Sequence, residues 1–199
     1  MKTIKSIFNE VSVDFHPVVF LPKKYVVLDL TNNSWNSSET AFSIGKYDEY
    51  RPNMYTTNIF ENIRNIHMGI DIGGPVGTSC MAFTDGVISH FGYNSEPGDY
   101  GNVVITKHEI SQTTVWALYG HLDSLSITNK LIGQEVTAGQ IIGNFGNNQE
   151  NGGWEPHLHF QLSLIEPITH DLPGVVSAED RNQALLDYPD PRLVLGPLY

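Results

Sequence analysis

The 199-residue chain has a single cysteine, Cys80, so an internal disulfide is impossible. Cys80 reads as a small buried hydrophobe. Basic residues are scarce: 11 Lys and Arg stand against 22 Asp and Glu, the formal net charge is −11, and no basic cluster is longer than Lys23-Lys24. Nucleic-acid binding rests on neutralising phosphates with Lys and Arg, so no nucleic-acid partner is expected. Attraction to an anionic membrane or wall polymer has no support either. No stretch approaches the ~20 apolar residues of a membrane span. The opening "MKTIKSIFNEVSVDFHPVVFLPKK" carries two early lysines, but Asn9, Glu10 and Asp14 interrupt any apolar core of a secretory signal. The expected location is cytoplasmic, with the cell wall or periplasm reached only by another route. Internal repeats and low-complexity segments are missing too. The glycine-bearing "DIGGPVG" and "NGGW" lack the lysine of a P-loop and the G-x-G-x-x-G spacing, and read as turns. "NNQENGG" lacks EF-hand spacing.

What is present is a globular composition, 40% hydrophobic and 11% aromatic. A chain this long buries roughly 70% of its surface on folding and needs no cross-links to hold a core. Three textures follow one another. Residues 1–60 are mixed, with one strand-like run, "YVVLDL", and a polar stretch, "TNNSWNSSETAF", that reads as a loop entering a short helix near Glu39. Residues 61–168 are dense in short β-branched and aromatic runs: "GVISHFGY", "YGNVVITKHEI", "TTVWALYGHL", "QIIGNFG" and "HLHFQLSLI". With Gly and Asn between them, they predict a mainly β fold built on antiparallel sheet, sandwich-like or barrel-like. Residues 169–199 hold a helix candidate, "SAEDRNQALLDY", with Ser177 as N-cap and Asp180 as the N3 acid. The division expected is an N-terminal extension (1–60) packing on a core (61–168), followed by a C-terminal extension (169–199) with a short helix.

Histidine carries the chemistry. His157 and His159 sit at i and i+2 in a strand-like run, so both imidazoles face one side while Leu158 and Phe160 face the other. Upstream, "NIHMGIDIGG" holds His67 and Asp71. A helix is disfavoured there by Gly69, by Ile70 and Ile72, and by the Gly73-Gly74-Pro75 stop. On a straight strand His67 and Asp71 would lie ~13 Å apart, too far to share an ion; Gly69 offers the bend or bulge that brings them together. "ALYGHLDSL" adds His121 at the end of a strand-like run. Imidazole plus carboxylate is a donor set suited to zinc, which in catalytic sites keeps three protein ligands and an open position. Five candidates exceed that need, and the surplus suits groups that move protons or stabilise charge on a scissile carbonyl. His16, His90, His108 and His170 lie outside these clusters and are read as structural or solvent-facing.

The order H-x-x-x-D, then Y-G-H-L, then H-L-H-F resembles the lysostaphin-like, or LytM-type, zinc metallopeptidases. "GTSCMAFTDGVI", "YGNVVITKH" and "GQEVTAGQIIGNFGN" support the match, which covers about residues 61–168. The resemblance implies an antiparallel β fold of the duplicated hybrid motif type, with a groove across the zinc. It implies His67, Asp71 and His159 as zinc ligands, and His121 and His157 as catalytic histidines. It also implies endopeptidase activity on peptide bonds, peptidoglycan cross-links (Gly-Gly or D-amino-acid bonds) foremost. Departures are the Trp154-Glu155-Pro156 rim, Gln161 in place of an acid, and the lack of a tyrosine between Glu61 and Ile66, which leaves Tyr55 as the candidate to face the reacting carbonyl. A narrower resemblance, through "ENGGWEPHLHFQ", "HDLPGVV" and "DPRLVLG", is to a LytM-type variant joined to class-III aminotransferases. Two other readings fit the same residues: a cytoplasmic zinc hydrolase acting on small peptides or another amide, and a latent or non-catalytic binding module whose site is blocked by residues 1–60.

Overall fold

The computed structural model describes residues 14–32 and 41–199. The helix expected near Glu39 lies outside the described residues. The strands are β1 (Val26–Val27), β2 (Ser43–Gly45), β3 (Glu49–Tyr50), β4 (Ile66–His67), β5 (Ile70–Gly73), β6 (Ser79–Met81) and β7 (Gly86–Asn94). They continue with β8 (Gly101–Ile110), β9 (Thr113–Leu122), β10 (Glu135–Val136), β11 (Ile141–Asn144), β12 (His157–Ser163) and β13 (Val175–Val176). Two short helices follow, α1 (Arg181–Asp187) and α2 (Arg192–Leu195). The fold is mainly β, as expected. All five runs singled out in the central region form strands, whereas "YVVLDL" contributes only the two residues of β1.

Eight strands form one sheet in the order β1-β2-β5-β12-β9-β8-β7-β10. Every pairing in it is antiparallel except β1 with β2. Two small sheets, β11-β6 and β13-β4-β3, complete the set. Alternation along the strands decides what each face buries. Ile70, Ile72, Leu158, Phe160, Leu162, Ala117 and Tyr119 point into the main core, where Cys80, Ala82, Phe83, Ile142 and Phe145 meet them from around β6 and β11. Cys80 is fully buried there, and burial pushes its thiol well above the usual range. His108 is also a core residue: its Nδ1–H donates to the Asp85 carbonyl, and Nε2 lies 2.6 Å from the Thr106 hydroxyl.

Described residues on both sides of the central region touch this core. Residues 14–21 lie along it through hydrogen bonds from His16 N to Phe83 O and from Met81 N to Val18 O, with Val18 and Val19 buried. β2 extends the main sheet beside β5. At the other end Leu172 covers Trp116, Leu118 and Tyr100 on the second face of the sheet. The Ser177–Asp180 box forms, with Asp180 N–H donating to Ser177 Oγ and the Ser177 hydroxyl donating to Asp180. Regular helix starts three residues later than the box alone predicts, at Arg181.

Candidate metal centre

Between β4 and β5 the chain changes sheets. β4 pairs with β3 and β13, and β5 joins β2 and β12. The two residues between them, Met68 and Gly69, make the bend that a straight strand would not allow. Gly69 also clears space: a Cβ there would meet the His159 ring at 2.5 Å and the Phe160 carbonyl at 2.9 Å. Gly69→Ala must therefore push His159 aside. It is expected to weaken metal binding and to cost about 1–3 kcal/mol of stability, as overpacking does. Metal competition and denaturant unfolding on the one variant would measure both, and unchanged metal affinity would show that His159 does not need this position.

β12 then brings the second histidine in. His159 stands directly opposite Asp71 on β5 and opposite Gly120 on β9. Three donor atoms converge. His67 Nε2 lies 3.0 Å from His159 Nδ1 and 3.1 Å from Asp71 Oδ1, and His159 Nδ1 lies 3.2 Å from the same oxygen. Ligands ~2.0–2.1 Å from a tetrahedral ion are separated by roughly 3.3 Å, so this triangle has the size of one face of such a site. Among the described residues these three form the group of donors able to hold a metal. No donor from the described part of residues 14–60 joins them.

The outer contacts of the imidazoles determine which nitrogens carry protons. His67 Nδ1 faces the Lys46 carbonyl at 2.9 Å and must donate to it. His159 Nε2 faces Gln161 Oε1 at 3.0 Å, and the Gln161 amide is oriented by donation to the Pro173 carbonyl. With both rings neutral, the inward nitrogens are lone pairs. They face each other and a carboxylate oxygen with no proton to share, an arrangement that is unfavourable without a cation in the middle. Burial, reinforced by the nearby Arg51 guanidinium, pulls His67 down to about 4 and keeps it neutral. Burial works against ionisation of Asp71, but the charge around it, the Arg51 guanidinium above all on this protonation pattern, outweighs it and holds the carboxyl well below the usual range. Two neutral imidazoles and one carboxylate fit zinc.

His121 and His157 lie beside this triangle, their rings 4.4 Å apart. His157 Nε2 is 3.7 Å from Asp71 Oδ1, outside the close contacts of the three donors. His157 Nδ1–H donates to the Glu155 carbonyl, and His121 Nδ1–H to the Asn151 carbonyl. Their Nε2 lone pairs are left over, so all four imidazoles spend one nitrogen on an outer protein acceptor. Burial lowers the pKa of both, for His121 with help from His157 and His159. His121 sits at φ 65°, a left-handed conformation uncommon for a non-glycine residue and frequent at functional positions. Asn151, fully buried, ties its loop together: its side chain donates to Trp154 O and accepts from Trp154 N. Nothing in the sequence singles out Asn151, Tyr100, Arg51 or the outer role of Gln161. Tyr100 packs on His121 and His159 and donates to the Leu172 carbonyl.

The open side faces a cavity of about 790 Å³ that reaches from Tyr55, Phe60 and Trp154 to the 165–175 segment. The Tyr55 hydroxyl accepts from Arg51, and burial pushes its pKa up to about 12. All five sequence-predicted site residues thus line one cavity.

The chain is similar to several known proteins. Over 112 residues the chain is 33% identical to the DD-carboxypeptidase/endopeptidase Mpg of Neisseria meningitidis, covering 54% of this chain and 23% of Mpg. It is 35% identical over 115 residues to the peptidoglycan DD-endopeptidase ShyC of Vibrio cholerae, covering 56% of this chain and 24% of ShyC. The chain thus spans about a quarter of the length of these curated relatives. Among solved structures, the catalytic domain of the prophage-encoded M23 protein EnpA from Enterococcus faecalis aligns over 66% of this chain and 87% of that domain, at 26% identity and a TM-score of 0.46. The family profile of peptidase family M23 matches residues 65–169, a span that holds His67, Asp71, His121, His157 and His159 together, and the chain belongs to that family.

Proposed function

We propose that this protein is a zinc-dependent endopeptidase that holds its metal through His67, Asp71 and His159 and cleaves peptide cross-links of peptidoglycan. The observation that supports it most directly is the triangle of three donor atoms, 3.0–3.2 Å apart, open on one side to a substrate-sized cavity. A zinc ion held there would supply Lewis acidity, to lower the pKa of water and polarise a carbonyl. His121 and His157 do the proton work. Their Nδ1–H groups are anchored on backbone carbonyls, so each presents Nε2 to the same space. One takes a proton from the attacking water. That proton then passes to the leaving amine, from the same ring or through the other, whose centre is 4.4 Å away. Tyr55 and Trp154 form an aromatic wall along which an extended peptide can lie.

The names of Mpg and ShyC support a peptidoglycan substrate. The net charge of −11 favours a second reading, hydrolysis of small peptides in the cytoplasm, because it repels anionic wall polymers. Among the described residues no helix is long and apolar enough to cross a membrane. We also propose that the segments before residue 61 and after residue 168 belong to one folding unit with the core, since β2 and β13 supply strands on either side of the ligands.

Purified protein should release soluble fragments from peptidoglycan and cleave D-amino-acid or Gly-Gly peptides in a panel, and a chelator should stop both. Cleavage confined to ordinary L-peptides would overturn the wall substrate in favour of the second reading. A zinc-loaded protein inert on the whole panel would overturn the enzymatic assignment.

A further inference from the structure

Arg51 is 2% exposed, yet it is an arginine in a chain with only 11 basic residues. Its guanidinium is distributed among four acceptors. Nη1 donates to Asp71 Oδ2 at 2.7 Å and to the Tyr55 hydroxyl at 3.0 Å, Nε donates to Glu49 Oε2 at 3.0 Å, and Nη2 reaches the Lys46 carbonyl at 3.3 Å. Glu49 is itself buried and accepts from the Leu30 amide. Lys46 supplies the carbonyl that takes the His67 Nδ1 proton. One side chain therefore ties the carboxylate of Asp71 to the turn that orients His67.

Stability alone is a poor reason to bury such a group, because desolvating the charges offsets much of their attraction, and apolar residues of similar volume often replace a buried ion pair without loss. Geometry gives a better reason. A carboxylate beside a dication has two oxygens to offer, and bidentate binding would fill the position a catalytic site leaves open. Here Oδ1 is the atom in the donor triangle and Oδ2 is the atom bound by Arg51.

We propose that Arg51 is a positioning residue of the metal centre: by occupying Asp71 Oδ2 it restricts Asp71 to one ligand oxygen and keeps the fourth coordination position free. This rests on the reading of His67, Asp71 and His159 as the ligands. It assigns residues 46–55, upstream of the span shared with the family, to the outer shell of the site.

Zinc affinity, measured by chelator competition, and the visible spectrum of the cobalt-substituted protein test it on three chains. The wild type should bind one equivalent of either ion, and its cobalt form should show the intense bands of four-coordinate geometry. Arg51→Lys, which keeps the charge but loses the fork, and Arg51→Met, which keeps the volume, should each weaken zinc binding about 10–100-fold and shift cobalt toward the weaker bands of higher coordination. Thermal unfolding of the metal-free chains reports folding separately. Folded variants with wild-type affinity and spectrum would overturn the proposal, as would a lower unfolding temperature with both metal readouts unchanged. Should neither variant fold, weak higher-coordinate bands in the wild-type cobalt protein would overturn it and four-coordinate bands would support it. A wild type that binds no stoichiometric zinc would instead bring down the ligand reading on which it rests.

Discussion

Replacing His159 with alanine is expected to remove the metal and the activity together. His159 Nδ1 is one corner of the donor triangle; the residue is 3% exposed, and its ring is held between Gln161 and the Gly69 backbone. Among the described residues no fourth donor joins this group. His157 Nε2, the nearest spare nitrogen to Asp71, is 3.7 Å from Oδ1 and anchored at its other end by the Glu155 carbonyl. Loss of outer-shell partners of metal ligands costs ~10–100-fold in affinity, so loss of a ligand should cost more. Metal content after dialysis should fall from one equivalent to a trace, and turnover with it. Full zinc occupancy in His159→Ala would sink the ligand assignment.

The complementary experiment separates metal from chemistry. Substituting His157 or His121 should leave one equivalent of zinc in place and lower kcat by ~10²–10⁴, the usual worth of general acid–base help. His157→Ala is the simpler variant, because His157 lies on the groove face of β12. His121 sits at φ 65°, where alanine is strained, so His121→Asn is the cleaner replacement: asparagine tolerates the left-handed region and brings no imidazole. Because the two rings are 4.4 Å apart and serve one proton inventory, the double variant should lose less than the product of the single losses. Loss of zinc from either single variant would make that histidine a ligand, and near wild-type kcat in both would leave the proton transfer to some other group.

Much of this was legible before any coordinates. Alternation alone placed Leu158 and Phe160 in the core and His157 and His159 on the groove, because a strand has no third direction to offer. Gly69 announced a bend, but its second job was invisible: the atom it makes room for belongs to His159, on another strand. Arg51 was illegible for the same reason. Its ion pair with Asp71 spans twenty residues of sequence, and "DEYRPN" has no periodicity or spacing that separates a buried guanidinium from a solvated one. Tyr55, the candidate from sequence to face the reacting carbonyl, lines the groove with its hydroxyl held by Arg51. Asn151 looked like part of a polar turn, and the role of its carbonyl in fixing His121 depends on backbone direction, which composition does not encode. The capping box at Ser177 was readable because its partners are three residues apart.

The donor triangle straddles two sheets, with His67 on the small one and Asp71 and His159 on the large one. An ion bound there would staple positions 92 residues apart. In the chain-entropy picture, closing a loop near that length is worth about 4–5 kcal/mol when the closure is a disulfide. A chain with one cysteine has no such bond to make, and the same atoms that would run the reaction would also serve as its long-range cross-link.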